Sequence, residues 1–571
     1  MLKKYDLSIN NRFLNFPVKN NASKLRVRIL SGDKAIRQFN IEWAEDQVDF
    51  WVFTDVTKFM DQKLTIEITE ADEKSTLEIS RSSTEMLGNL MAIAQSDEVM
   101  GVDDLYKEIH RPQFHFTSKR GWLNDPNGLL FYKGIYHLFY QHNPYGREWG
   151  NMHWGHATST NLVQWQELPT VLYPDQMGTM FSGSGVVDWH NSSDLKQDSN
   201  EPIVCLYTAA GPYVDPKAPF TQCLMFSQDG AQSWQKYENN PVIPPIAQSS
   251  RDPAVIWHPG SQKWIMALYI GKKNLGKKSV ENNQHFALFS SKNLKEWEHL
   301  QDLFFPGMGE CGEFFPLTLD EDLEQVRWIF WTADGNHLIG HFDGNEFIPQ
   351  TEMLKSTYSA VYYDKPNGAS FNGGYAAQTW SEIPPEDGRC IQIAWLAGDI
   401  PEMPFNQQMT FPVELTLRST DLGPRIHSWP IQEIELLYQE TRVLHNIEAT
   451  QNPTILPTHQ HDLLDMTFEI ELGAISEFEL SLRGVLLNYD SEKQKLTCCE
   501  RSSKLKPDAR KIYLRVLLDR ASIEIYANYG LVYIPISVVP AQSDLGCSLY
   551  SRRGKVTFKK IQISKLNSSW F

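Results

Sequence analysis

One short unit recurs through the middle of the chain and limits what the chain can become. STNLVQWQEL, SQDGAQSWQKY and SKNLKEWEHL each set a serine, a polar turn and then a tryptophan, at Trp165, Trp234 and Trp297, 69 and 63 residues apart. GHFDGNEFIP at 340–349 is a fourth instance, with Phe347 in the tryptophan's place. Short strand-like runs lie between them, punctuated by Trp, Gly, Pro and Asp. A hairpin unit returning every ~50–70 residues is what propeller blades with long loops produce. The pattern alone is a common hairpin; its near-equal spacing favours blades.

The flanks read differently. Before about residue 84, LRVRIL at 25–30, FNIEW at 39–43, VDFWVFT at 48–54 and KLTIEIT at 63–69 alternate as strands do. Residues 86–109 carry a weaker, partly helical pattern and are read as a connector. After 430, FEIELG, FELSLRGVLLNY, KIYLRVLLD, SIEIYANYG and VYIPISVV suggest a β-sandwich. The expectation is therefore an all-β chain in three parts: a small N-terminal β domain with its connector (1–105), a propeller (106–425) and a C-terminal sandwich (426–571).

Composition narrows the function. With 41% hydrophobic and 22% charged residues, the chain has globular values. The net charge of −17 repels polyanions, which argues against nucleic acid as a partner and is indifferent to a neutral substrate. Aromatics at 12% suit sugar-binding clefts as well as β-rich cores. The 7 cysteines are irregularly spaced without a CxxC pair, so they read as free thiols. No run of about eighteen apolar residues predicts a membrane span. The N-terminus lacks an apolar signal region. A soluble protein is expected, cytoplasmic, or periplasmic or extracellular if a signal was removed.

Three acidic motifs stand out. In WLNDPNG at 122–128, Pro126 keeps Asp125 out of helical geometry, and Asn127-Gly128 favours a tight turn. Asp125 is thus read as a carboxylate at a rigid strand-to-turn junction. Arg251-Asp252-Pro253 locks a second aspartate in the same way; since strand neighbours face opposite sides, Arg251 and Asp252 need not pair. Glu310 lies in ECGEFFP, rich in Gly and aromatics. A carboxyl group among apolar neighbours is harder to ionise, as a general acid needs. Each motif alone is ordinary, but on different blades of a propeller the three would converge on one funnel. Retaining glycoside hydrolysis needs such a set: an ionised nucleophile and a protonated acid, ~5–5.5 Å apart.

WLNDPNGLLFYKGIYHLFYQHNP, WGNMHWGHATS, FSGSGVV, RDPAVIW and ECGEFF, in this order, resemble glycoside hydrolase family 32, the β-fructosidases: invertases, inulinases and levanases. The resemblance covers 110–425 densely, and 430–571 looks like that family's C-terminal sandwich; residues 1–105 lie outside it. It implies a five-bladed propeller followed by a sandwich. It implies Asp125 as nucleophile, Glu310 as acid/base and Asp252 as transition-state stabiliser, with Asn124, Gln141, Trp149, Phe181, Ser182 and Arg251 lining a fructose subsite. Two departures stand beside it. Gly312-Glu313 replaces the common Pro-Asp after Glu310-Cys311, and Gly309 replaces a common tryptophan, loosening the aromatic wall near the acid. YAAQTW at 375–380 and IAWLAGDIPEMPFNQQMTFPVELTL at 393–417 resemble the exo-inulinase and levanase branch, and Trp395 matches a tryptophan near the fructose or leaving-group side.

The implied activity is release of terminal fructose from inulin or levan, with sucrose as a smaller substrate, through a covalent fructosyl-enzyme. The partner is a neutral fructose-containing oligo- or polysaccharide. No cofactor and no metal is expected, because the reacting groups are side chains; His153 and His156 in HWGH are assigned to packing. Invertase-type sucrose hydrolysis, fructosyl transfer, and a fructan-binding protein on an inactive scaffold are the alternatives. Trp43 and Trp51 of the N-terminal domain are assigned to a small core or an interface, with carbohydrate binding as the alternative. Asp519-Arg520 is read as structural. Linkage preference, exo or endo action and oligomeric state are not legible.

Overall fold

The computed structural model describes residues 3–71, 92–273, 283–306, 309–365, 368–458, 461–541 and 546–570. Among them the chain is built of strands, with four short 3-10 segments and no α-helix.

The N-terminal part is two small sheets face to face. One runs Lys3–Ser8, Lys63–Glu70, Lys24–Ser31, Lys34–Glu42 in spatial order; the other runs Phe50–Asp55, Phe13–Val18, Ala94–Ser96. Leu25, Val27 and Ile29 alternate inward from one sheet to meet Leu14, Phe16 and Val52 of the other. Trp43 is 2% exposed and edge-on to Phe16, so it belongs to this core. The connector is helical only at the 3-10 segment Val102–Asp104, and its Ala94–Ser96 is a strand; residues 86–91 lie outside the described residues. Ala94–Ser96 pairs with Phe13–Asn15, and Gln95 and Asp97 accept from the backbone N–H groups of Asn10 and Arg12. Tertiary pairing overrides a weak local pattern.

Among the described residues, five mainly antiparallel sheets follow along the chain. Their inner strands Gly121–Tyr132, Thr179–Val187, Arg251–His258 and Glu313–Thr318 touch in turn, and Gly368–Thr379 of the fifth sheet returns to Gly121–Tyr132. The result is a propeller. Phe405–Asn406 closes it by pairing in parallel with Gly121–Trp122 of the first sheet.

The repeated unit has a physical cause. In the first sheet, Asn161 Oδ1 accepts from the N–H groups of Val163 and Gln164, Leu162 turns to φ 62°, and the Trp165 indole donates to Leu162 O at 3.0 Å. Asn293, Leu294 and Trp297 repeat this in the third sheet, with the indole bond at 3.1 Å. Asp343 anchors the same turn in the fourth, accepting from Asn345 and Glu346, while in the second Asp229 accepts one residue further on, from Gln232 and Ser233. Asn161, Asn293 and Asp343 form Asx turns leading into the outer strand and Asp229 a one-residue-longer version, so the sequence repeat marks one position in four sheets.

The last part packs two six-stranded sheets face to face. Leu464, Met466, Phe468 and Ile470 point inward from one sheet, and Phe478, Leu480 and Leu482 from the other, as alternation requires. The 425/426 boundary falls inside strand Gly423–Pro430, which still pairs with Val413–Thr420 of the fifth sheet. Asp519 is fully buried where sandwich meets propeller, accepting from the N–H groups of Gln113, Phe114 and His115. Its role is structural, as expected.

Candidate active site

The inner strands bring Asp125 and Asp252 together at bulges, and Glu310 lies just ahead of strand Glu313–Thr318. Strand Gly121–Tyr132 slips register between Leu123 and Pro126 and again between Asn127 and Leu130. An extra residue on one strand re-aims its neighbours. The tight turn expected at Asn127-Gly128 is corrected: the strand runs through it, and the hairpin turns at Lys133-Gly134, where φ is 49° and 85°. Two consecutive positive φ values are what a two-residue hairpin requires. Gly128 nonetheless takes the positive φ its motif favours, 55°, and a Cβ there would also lie 2.8 Å from Phe139 and 3.1 Å from Trp154. Similar slips occur at Phe181/Gly183, Arg251/Ala254 and Tyr375/Gln378.

Asp252 and Cys311 take left-handed backbone angles, φ 62° and 47°. Such geometry costs of order 1–3 kcal/mol per residue and collects at functional sites. It also changes an expectation. Arg251 and Asp252 do not face apart: Arg251 Nε lies 3.5 Å from Asp252 Oδ2.

The three carboxylates meet. Ser182 Oγ donates to Asp125 Oδ2 at 2.7 Å, and Asn124 Nδ2 to Asp125 Oδ1 at 3.1 Å. The Trp122 indole fixes Asn124 by donating to its Oδ1 at 2.9 Å. Cys311 Sγ stands 3.7 Å from Asp125 Oδ2 and 3.5 Å from Asp252 Oδ2, bridging the two aspartates. Asp252 N–H is held by Thr208 Oγ1 at 2.9 Å. Glu310 Oε2 accepts from Arg251 Nε and Nη2, and Tyr375 OH donates to Oε1 at 3.1 Å.

The apolar surroundings expected for Glu310 are thus replaced by a guanidinium and a phenol. Gly309 has no room for the missing tryptophan's Cβ without displacement, because Thr332 would lie 3.1 Å away. Glu313 is turned toward Thr379, accepting from its hydroxyl at 3.0 Å; burial pushes its carboxyl up to about 7.

Electrostatics follow from crowding. Burial raises Asp125, and the Glu310 charge adds to this, while Ser182 and Asn124 hold it down. Burial pushes Asp252 up to about 7, opposed by Arg251 and reinforced by Glu310 and Asp125. Neighbouring carboxylates cannot all ionise cheaply. Burial raises the Cys311 thiol well above its usual value, and the three carboxylates add to the rise, so it remains a donor.

The remaining expected residues are tied to neighbours of this cluster. Gln141 lies opposite the first bulge and donates to Met180 O at 2.9 Å. Phe181 and Trp149 pack edge-on at 5.9 Å, with Tyr213 edge-on to Trp149; Trp149 stays 46% exposed. Trp395 is held by Gln407 at 3.0 Å and packs against Trp122, Tyr375 and Phe371. Phe371 continues to Tyr362, ring centroids 4.6 Å apart, and Tyr362 is 66% exposed. An aromatic path thus runs from the Glu310–Tyr375 bond outward. Cys311, Tyr375, Tyr213, Phe371 and Tyr362 are the residues that sequence reasoning missed. Cys311 and Tyr375 lay inside quoted motifs; nothing local marked the other three.

A larger cavity, about 950 Å³, opens behind this floor and shares Ala254, Glu313 and Gln378 with it. It touches none of the three carboxylates, so chemistry and not size locates the site.

Set against known proteins, residues 115–430 match the model for the glycosyl hydrolases family 32 N-terminal domain, and 433–565 match the family 32 C-terminal model. Residues 4–101 match a domain of unknown function, DUF4980. The chain is 33% identical to a levanase of Bacillus subtilis over 513 residues, covering 81% of this chain and 72% of that one. It is 28% identical over 537 residues to an extracellular exo-inulinase of Aspergillus niger, covering 81% and 96%. The crystal structure of exo-inulinase from Aspergillus awamori superposes with a TM-score of 0.68 at 25% identity, covering 81% of this chain and 100% of that one.

Proposed function

The chain belongs to glycosyl hydrolase family 32 and is a glycoside hydrolase; on that premise we propose that it is a retaining, exo-acting β-fructosidase. It cleaves terminal fructose from β-fructans, inulin or levan, and from sucrose. Among the described residues no helix is long and apolar enough to cross a membrane.

One observation carries the reading. Carboxylates from separate sheets are bound into one set, Asp125 to Asp252 through Cys311 and Asp252 to Glu310 through Arg251. Asp125 is the nucleophile. An oxygen of its carboxylate attacks C2 of the terminal fructosyl unit as the C2–O bond to the leaving group breaks. Glu310 gives its proton to that leaving oxygen, and a fructosyl ester on Asp125 results. Glu310, now ionised, takes a proton from water, whose oxygen attacks C2 and releases fructose and free Asp125. Asp252 binds ring hydroxyls. Two displacements at C2 restore the original configuration.

The rim supports the assignment of sides. Trp149 and Phe181 flank the pocket next to Ser182 and so wall the fructosyl unit. Trp395, Phe371 and Tyr362 lead away from Glu310, on the side of the leaving chain. Apolar sugar faces stack on such rings.

The test is product chromatography after incubation with inulin, levan and sucrose, beside an Asp125→Ala control. Fructose as the sole early product, absent from the control, supports the reading and ranks the linkages. A ladder of oligosaccharides overturns exo action. Fructose lagging behind glucose from sucrose means transfer, and no product at all leaves a binding protein.

A further inference from the structure

The N-terminal domain has no function in the chemistry above, yet it grips the loop that carries Trp149. That loop, residues 144–152, joins strands Ile135–Asn143 and His153–Ser159. Tyr145, 1% exposed, leaves the propeller and enters the N-terminal core, stacked on Phe39 at 3.6 Å with planes 10° apart. Asn151 binds the domain's backbone with both ends of its amide: Oδ1 accepts from Asn40 N–H at 2.8 Å and Nδ2 donates to Asn40 O at 2.8 Å. Lys24 Nζ lies 3.1 Å from Glu148 Oε2. Glu148 O in turn accepts from Asn143 Nδ2, and Asn143 Oδ1 accepts from Asn151 Nδ2. Arg37 caps the other side, its guanidinium 3.6 Å from the Tyr173 ring, which packs against His153.

Trp149 is therefore flanked by two residues, Glu148 and Asn151, that are both tied to the N-terminal domain, while its own ring is half exposed at the pocket rim. An exposed aromatic on an unsupported loop would sample many positions and lose binding free energy when ordered. We propose that the N-terminal domain is a positioning element for the substrate pocket: it fixes the Trp149 loop against Phe181 and Tyr213 and so sets affinity for the terminal fructosyl unit. This rests on the reading of Trp149 as a wall of that pocket.

Full-length Asn151→Gly removes both amide bonds, and glycine tolerates the φ of 42° found there. A second variant, Phe39→Leu with Lys24→Met, leaves the propeller sequence untouched. Each is measured on sucrose and levan with Trp149 present and in a Trp149→Ala background. KM is expected to rise about fivefold for Asn151→Gly with kcat held within about twofold. No further rise is expected once Trp149 is gone, because the effect runs through that ring. Unchanged KM in both variants, or an equal rise without Trp149, overturns the proposal.

A readout independent of turnover is fluorine NMR of 5-fluorotryptophan-labelled protein, with the Trp149 resonance among the 17 tryptophans identified by Trp149→Phe. That resonance should shift or broaden in both loop variants; an unmoved line overturns the proposal. Should the wild type release no fructose, the assigned activity falls and this spectrum alone decides the inference.

Discussion

Arg251 donates twice to one oxygen of Glu310, from Nε at 2.8 Å and Nη2 at 2.5 Å. Tyr375 holds the other oxygen, so the carboxyl plane is fixed from both ends. Fixed geometry at the reacting group is where much of a rate enhancement lies.

Loss of either hold should therefore lower turnover. Tyr375→Phe should reduce kcat by roughly tenfold with little change in KM. Arg251→Lys should cost about a hundredfold in kcat/KM, since an ammonium cannot reproduce the two-pronged contact. Steady-state rates on sucrose measure both, and wild-type kcat in either variant would sink the assignment of these residues as orienters of Glu310.

As the proposed nucleophile, Asp125 gives a pH prediction. Asp125 must be ionised to attack, so activity is lost as pH falls through its pKa. Burial and the Glu310 charge hold that pKa above the ordinary aspartate value, and Ser182 restrains it. Ser182→Ala removes a bond that favours the ionised form, so the acid limb of kcat/KM should move to higher pH. A limb that stays put or moves down would show that Ser182 does not bear on Asp125.

How much of this was legible beforehand depended on distance along the chain. Asp125, Asp252 and Glu310 announced themselves through Asp-Pro steps and an ordered set of motifs. The serine–turn–tryptophan repeat marked the sheets because an Asx turn is a local event, complete within a few residues. The hairpin at Asn127-Gly128 failed as an expectation because register is set by the whole sheet, and Lys133-Gly134 turns the chain instead. Cys311 bridges the aspartates only through its positive φ, which no neighbouring residue type demands. The grip of Asn40 on Asn151 spans 111 residues between two domains, and neither side carries a pattern that names the other.

The outer aromatic path predicts a difference between polymer and disaccharide. Tyr362 lies two rings out from Tyr375, packed at a tilt on Phe371 and mostly exposed. Sucrose has too few units to reach it, whereas a fructan chain leaving past Glu310 would cross it. Tyr362→Ala should raise KM for inulin or levan by about three- to tenfold, the worth of one stacking contact, and leave KM for sucrose unchanged. Equal effects on both substrates would mean that Tyr362 acts on the pocket itself.

The last prediction concerns the joint between propeller and sandwich. His115 lies fully buried between Asp519, at 2.8 Å from Nδ1, and Glu524, at 3.2 Å from Nε2. Burial alone would lower its pKa, but the bonds to Asp519 and Glu524 outweigh this and push it up to about 9. Burial would likewise raise Asp519, yet His115 and the Gln113 and Phe114 N–H groups hold it below the usual range. A histidine raised in this way stabilises the fold fully below its unfolded value, about 6.5, and the gain fades as pH rises through about 9. Removing one partner strands a buried charge at a cost of roughly 3–5 kcal/mol. His115→Gln should therefore lower Tm clearly at pH 6, and the gap to wild type should narrow steadily toward pH 9.5. Thermal melts across that range test this, and a constant gap at all pH values would rule out a charged imidazolium at the joint.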